Sequence, residues 1–430
     1  MSLAVRSGLL RATLTLLLGG ALAQVLPLLL GPWLTRLYSP AEFGQFSTLW
    51  ALASNVAVVA CARYEFALPM EPGPREAALL MALCARILLL LCSLSAVLGA
   101  GVALWHGQPP AVLLPLAVLA GGASQWLTLW ATRAQRYRLL ASARVLLYGG
   151  GALIQLGLGL LGCGVWGLLL GPTLAGLLTA LLLARPAPEG GWWGLVKIPA
   201  GALRAMARRH RDFPLFNTPH AFATALQDSL AMLLLTAWSG DASAGYWALS
   251  LRYLKAPASL VGGALSQALY PRLVGAGSGA EALAVVRRTM ALLMLIALPL
   301  MLGLMLVGPW LFTQVFGEGW QEAGQLARAL APYIALHFIA SPLSVAMMAW
   351  RAQAWGLRLA IVGQVLFLVG LGAGLAWGGL LGAGWGVSAA MSLYFGYFFW
   401  ALANWRNFPY PVMEDGIDEG HPRNGNAGHI

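Results

Sequence analysis

Basic side chains punctuate this chain at regular intervals, and nearly all of them fall on one side of the apolar runs they separate. Uncharged stretches occupy Ala12–Thr35, Phe43–Ala62, Ile87–Thr132, Val145–Ala184, Thr289–Gly317, Ala329–Trp350 and Leu359–Trp405. A helix needs about 20 apolar residues to cross a bilayer. The three longest stretches exceed one crossing, and each carries a weak, uncharged turn: 106–110, 162–164 and Gly378-Gly379. Each therefore reads as a helical hairpin. The expected fold is all-α and polytopic, with twelve transmembrane helices over 10–34, 43–62, 77–103, 111–132, 140–162, 164–184, 214–238, 245–270, 289–312, 326–350, 358–377 and 380–404.

Placed on that frame, all but four of the 26 Lys and Arg share one side; Arg36 and Arg328 lie near the other, and Arg252 and Lys255 fall inside a span. Cytoplasmic loops carry the Lys/Arg excess, so both termini are expected in the cytoplasm. The net charge of +11 then records topology, and nucleic acid is not an expected partner. Arg6, Arg11 and Leu14–Leu18 resemble a signal peptide, but the apolar run continues to Leu34, which favours an uncleaved first helix. Cys61, Cys84, Cys92 and Cys163 lie in or beside spans without CxxC spacing, so neither a disulfide framework nor a metal site is indicated.

The longest hydrophilic segment, 185–212, divides an N-terminal lobe of six helices (1–184) from a C-terminal one (213–406), with a polar tail over 407–430 that reads as disordered. Weak echoes link the halves: Arg133-Ala-Gln135 with Arg351-Ala-Gln353, and Gly164-Val-Trp166-Gly with Gly384-Trp385-Gly. Such parallel repeats occur in transporters that bind substrate between their halves.

The sequence has no Walker A loop, HExxH, GxSxG or metal-ligand cluster, and the loops opposite the basic side are short. An enzyme and a cofactor are therefore not expected. Charge within spans costs about 2.5–3.5 kcal/mol per residue at mid-helix and marks candidate sites. Asp228 lies ten residues before Trp238, and Arg252 and Lys255 lie seven and ten residues after Gly245, which puts all three roughly 10–15 Å deep at 1.5 Å per residue. Two readings stand: an ion pair pinning two helices, or a cationic cavity for an anionic head group with Asp228 as a coupling site. Arg63 and Glu65, at the end of the second span, form a second candidate group for substrate binding and for coupling or ion pairing. Arg36 and Glu42 flank the first opposite-side turn and could form a gate pair, the alternative being interfacial anchors. The Arg204, Arg208, Arg211 row suggests a basic amphipathic surface helix.

Four segments resemble a known family: Ala62-Arg-Tyr-Glu-Phe-Ala-Leu-Pro69, Arg133–Arg144, Asp212-Phe-Pro-Leu-Phe-Asn-Thr-Pro219, and Ala244-Gly-Tyr-Trp-Ala-Leu249 through Gln267-Ala-Leu-Tyr-Pro-Arg272. In this order they resemble bacterial oligosaccharide flippases of the Wzx type, in the multidrug/oligosaccharidyl-lipid/polysaccharide exporter superfamily. The resemblance implies two six-helix lobes in a V with alternating access. It implies an oligosaccharide on undecaprenyl pyrophosphate as substrate for O-antigen, capsule or exopolysaccharide synthesis, with membrane lipids, a polysaccharide polymerase and chain-length proteins as partners. The first span carries only Gln24 at mid-depth, which sets this chain apart from relatives that flip peptidoglycan precursor. Competing expectations are a cation-coupled drug exporter of the same superfamily, which should carry acids in the first lobe's cavity, and a polymerase or ligase, which should carry a large outer loop.

Overall fold

Proline and glycine decide where the helices of this chain start and break. The computed structural model describes residues 3–105, 107–185, 187–188, 190–276, 279–350 and 352–405, with side-chain surroundings from Gly19 onward. The 407–430 tail, His106 and Arg351 lie outside these residues, as do the side chains of Arg6 and Arg11. Among the described residues there is no strand.

Helix α1 (Leu3–Leu37) is followed by Ser39, whose side chain caps α2 (Pro40–Ala57) with Pro40 in the first turn. A 3-10 segment (Tyr64–Met70) leads into α3 (Pro74–Trp105). Then follow α4 (Leu114–Arg133), α5 (Tyr137–Val145), a π turn (Leu146–Gly150), α6 (Gly151–Leu160) and α7 (Gly164–Leu183). Two short helices, α8 (Gly191–Lys197) and α9 (Ala200–Arg209), cross the hydrophilic segment. The second half comprises α10 (Thr218–Ala276), α11 (Ala280–Phe316), α12 (Gln321–Leu343), α13 (Val345–Ala349) and α14 (Gln353–Ala403).

Among the described residues, eight helical stretches are long and apolar enough to cross a membrane, so the chain is a multi-pass membrane protein. Two of them, α10 and α14, contain breaks and supply two arms each: α10 breaks at Gly240 (φ 82°) and α14 at Gly378 and Gly379 (φ 57°). The expected hairpin turns at 106–110 and 162–164 also fall at helix ends, where Gly107, Gly162 and Gly164 adopt positive φ. Glycine reaches that region without the Cβ penalty.

Two buried clusters are drawn from residues 49–206, and a third largely from 231–405, joined by Leu34, Tyr38, Phe43 and Leu168. The hydrophilic segment belongs with the first half. Leu203 and Met206 are buried in the same cluster as Leu80 and Cys84. Arg86 Nη2 donates to the carbonyl of Ile198 at 2.6 Å, and Arg209 Nη2 lies 3.2 Å from Glu71 Oε1. The apolar face of α9 is thus covered by protein, while Arg204, Arg208 and Arg211 stay exposed.

Candidate functional site: a cationic cavity between the halves

The two halves meet most closely along α2 and α10. A Cβ added at Gly44 would stand 1.7 Å from the Asp241 carbonyl oxygen, and one at Gly245 would stand 1.9 Å from that of Pro40. Only paired glycines permit this approach. Below the crossing, Gln45 Nε2 donates to Asp241 Oδ2 at 2.8 Å, the Thr48 and Thr236 hydroxyls meet at 2.9 Å, and Ser229 Oγ donates to the Ala51 carbonyl at 3.0 Å. Trp320 adds a further seal, donating from Nε1 to the Thr35 carbonyl at 2.9 Å and standing edge-on to Phe43 at 5.1 Å.

The first helix is held to the second half by another device. Pro32 has no N–H, so the Leu28 carbonyl four residues earlier lacks its helical donor. Tyr253 fills the vacancy, its hydroxyl donating to Leu28 O at 2.7 Å. One residue away, Arg252 Nη2 donates to the Pro27 carbonyl at 3.3 Å.

Beneath the Gly44–Gly245 crossing lies a cavity of about 1160 Å³. Its wall follows α2 from Phe43 to Ala57, or about 20 Å at 1.5 Å per residue, and continues to Arg63. The charged side chains lining it are Arg63, Arg144, Arg252, Lys255 and Asp228. Four cations thus face one carboxylate. Among the described residues no acid lies within the 4.0 Å pairing distance of Arg252 or Lys255. Asp228 is instead exposed to the cavity, and Lys255 Nζ sits 5.8 Å above the Tyr333 ring. Trp247 also lines the cavity, and its buried indole Nε1 has no hydrogen-bond partner.

A profile of the family described as polysaccharide biosynthesis protein matches residues 33–325. The chain belongs to this family. No curated protein matches it. Solved structures show the fold this family member shares with transporters of the MOP superfamily. The lipid II flippase MurJ in an inward closed conformation aligns over 92% of this chain and 93% of its own, with a TM-score of 0.67 at 10% identity. An inward-facing MATE-family multidrug resistance transporter aligns over 90% and 96%, with a TM-score of 0.53 at 14% identity. A variant of the MATE transporter VcmN from Vibrio cholerae aligns over 95% and 98%, with a TM-score of 0.51 at 14% identity.

In this polysaccharide biosynthesis protein, Asp228, Arg252 and Lys255 all line the one cavity. Arg63 joins it and Glu65 does not. Ala62 and Arg63 take consecutive left-handed conformations (φ 47° and 62°), and this turn sends the two side chains to different places. Glu65 is buried one layer behind the wall, its Oε1 accepting from Gln125 Nε2 at 2.6 Å. Burial pushes the Glu65 carboxyl above its ordinary range, and the Gln125 bond and the Arg63 charge offset this only in part. The Arg36–Glu42 gate pair does not form. Glu42 Oε2 accepts from the Ser39 backbone N–H at 2.7 Å and from its hydroxyl at 2.9 Å, completing a capping box. Sequence reasoning missed Arg144, counted only as loop charge. It sits nearly two turns inside α5, directly before the π turn of Leu146–Gly150 that carries Tyr148 into the same wall. Single π turns recur at functional sites, and the Gly149-Gly150 pair was the available signal.

Proposed function

We propose that this protein is a flippase for an oligosaccharide carried on undecaprenyl pyrophosphate, moving it from the inner to the outer leaflet of the bacterial inner membrane for surface polysaccharide synthesis. The observation that carries this reading is the four-to-one excess of cations over carboxylate in a cavity between two membrane-embedded halves. A pyrophosphate needs charge-assisted partners once it leaves water, and arginine can hold its oxygens in pairs. Arg252 and Lys255, on one helix face, would hold the pyrophosphate, while Arg63 and Arg144, nearer the expected cytoplasmic mouth, would receive it first. The unpartnered Trp247 N–H suits an acceptor-rich sugar. Asp228 would carry a coupling proton or cation. The Gly44–Gly245 crossing would close the outer side while the cavity loads from within, and both termini would lie in the cytoplasm.

A cationic drug would find little to hold it here, since the cavity offers one acid. The test is reconstitution in proteoliposomes with undecaprenyl-pyrophosphate-linked oligosaccharide bearing a lectin-accessible sugar. Protein-dependent loss of the inner-leaflet pool supports the proposal. Efflux of a cationic dye with no movement of the lipid-linked sugar overturns it in favour of a drug exporter.

A further inference from the structure

Behind the cavity wall, three side chains from two segments converge. The Sγ atoms of Cys61 and Cys84 and a carboxylate oxygen of Glu65 all lie within 4.8 Å of one another. All three residues are buried, at 1%, 0% and 1% exposure. Gln125 satisfies Glu65 Oε1, but Oε2 is shielded from solvent and has no hydrogen-bond partner. Leaving a buried acceptor unsatisfied costs about 1–3 kcal/mol, and more for a charged one, so native structures rarely do it without cause. The backbone beside it is strained as well: non-glycine residues in the left-handed region cost of order 1–3 kcal/mol each, and Ala62 and Arg63 are both there.

We propose that Cys61, Glu65 and Cys84 form a binding site for one soft or borderline d10 metal ion, of which Zn²⁺ and Cd²⁺ are the working representatives. The donor set decides the class. Two thiolates and one carboxylate suit ions that accept sulfur, whereas Mg²⁺ and Ca²⁺ require shells of six or more oxygens. The spacing suits it too. With Zn–S bonds of about 2.3 Å, two sulfurs of a tetrahedron stand about 3.8 Å apart, a spacing compatible with donor atoms that all lie within 4.8 Å of one another. Glu65 Oε2 is the free acceptor such an ion would take. Binding releases the thiol protons, so affinity rises with pH. The ion would tie the turn after α2, which carries Arg63, to α3, which carries Cys84. The site does not depend on the transport reading, and it departs from the sequence expectation that these cysteines hold no metal.

The test uses the full-length protein in detergent, reduced with a phosphine, stripped with a chelator and passed through size exclusion. Titration with Cd²⁺ is followed by the ultraviolet thiolate-to-metal charge-transfer band, and Zn²⁺ content after dialysis by elemental mass spectrometry. The expected result is one ion per chain in the wild type. Cys84→Ser and Cys61→Ser should each lower affinity at least a hundredfold, and Glu65→Gln at least tenfold, while Cys92→Ser and Cys163→Ser leave the titration unchanged. Sub-stoichiometric binding by the wild type overturns the proposal, whatever the variants do. So does equal binding by a monodisperse Cys84→Ser protein, or recovery of Cys61 and Cys84 as a disulfide before the reductant is added.

Discussion

Replacing Gly44 by alanine should drive the protein away from the arrangement seen here. The new Cβ would meet the Asp241 carbonyl oxygen at 1.7 Å. A relaxed carbon–oxygen contact is about 3.3 Å, so α2 and the second arm of α10 must part by about 1.6 Å. That displacement carries Gln45–Asp241 and Thr48–Thr236, at 2.8 and 2.9 Å, beyond hydrogen-bonding range. Interhelical hydrogen bonds in membranes average about 0.6 kcal/mol and reach about 1.7, so the pair is worth roughly 1–3 kcal/mol. On a two-state equilibrium this is a shift of about 5- to 150-fold toward the form open at this end. Spin labels at Leu161 and Glu318, exposed on either half beside the crossing, report the change as a longer distance distribution. Gly303→Ala, with open space around its Cβ, should leave the distribution alone. An unchanged distribution in Gly44→Ala, with transport at the wild-type rate, would refute the reasoning, because the crossing would then not limit the closed state.

Charge removal in the cavity should separate its members. Arg252→Ala and Lys255→Ala should each cut transport at least tenfold with normal membrane levels, and Arg252→Lys should recover part of it unless paired contacts matter. Arg144→Ala should raise the substrate concentration needed for half-maximal transport and lower the maximal rate less, measured in the same vesicles. Asp228→Asn should retain substrate binding and lose its dependence on an imposed proton or sodium gradient. Cysteines at Asp241 and Glu318 should react with an impermeant maleimide from outside intact spheroplasts, whereas those at Arg138 and Arg204 should not; the reverse pattern would invert the orientation.

Much of the fold was legible in the sequence because lipid imposes a coarse rule. Backbone polar groups must be satisfied within the segment, so apolar length maps onto helices and glycine onto the turns between them. That Asp228, Arg252 and Lys255 line one cavity is in keeping with their similar depth, counted along two adjacent arms. What failed was local. Arg63 and Glu65 are two residues apart, yet a left-handed turn that no propensity anticipates puts one in the cavity and the other behind it. Glu42 was misjudged for the opposite reason, since Ser39-Pro-Ala-Glu42 carries a readable capping-box signature that outranks a salt bridge across a turn. Cys61 and Cys84 come together only through the packing of the turn after α2 against α3, and spacing along the chain holds no trace of it.

The bond from Tyr253 to the Leu28 carbonyl sets a condition on how the halves can separate. Pro32 removes the N–H that α1 would otherwise offer to that carbonyl. When Tyr253 withdraws, the oxygen must either acquire another partner or stand bare in a medium of low polarity, at a cost of several kcal/mol. In the transport cycle proposed above, rocking of the halves would therefore be coupled to hydration: water would have to arrive at the first helix as the tyrosine leaves. Tyr253→Phe would place that water requirement on the resting state, and its effect should show as faster hydrogen exchange around Pro32 before any change in transport.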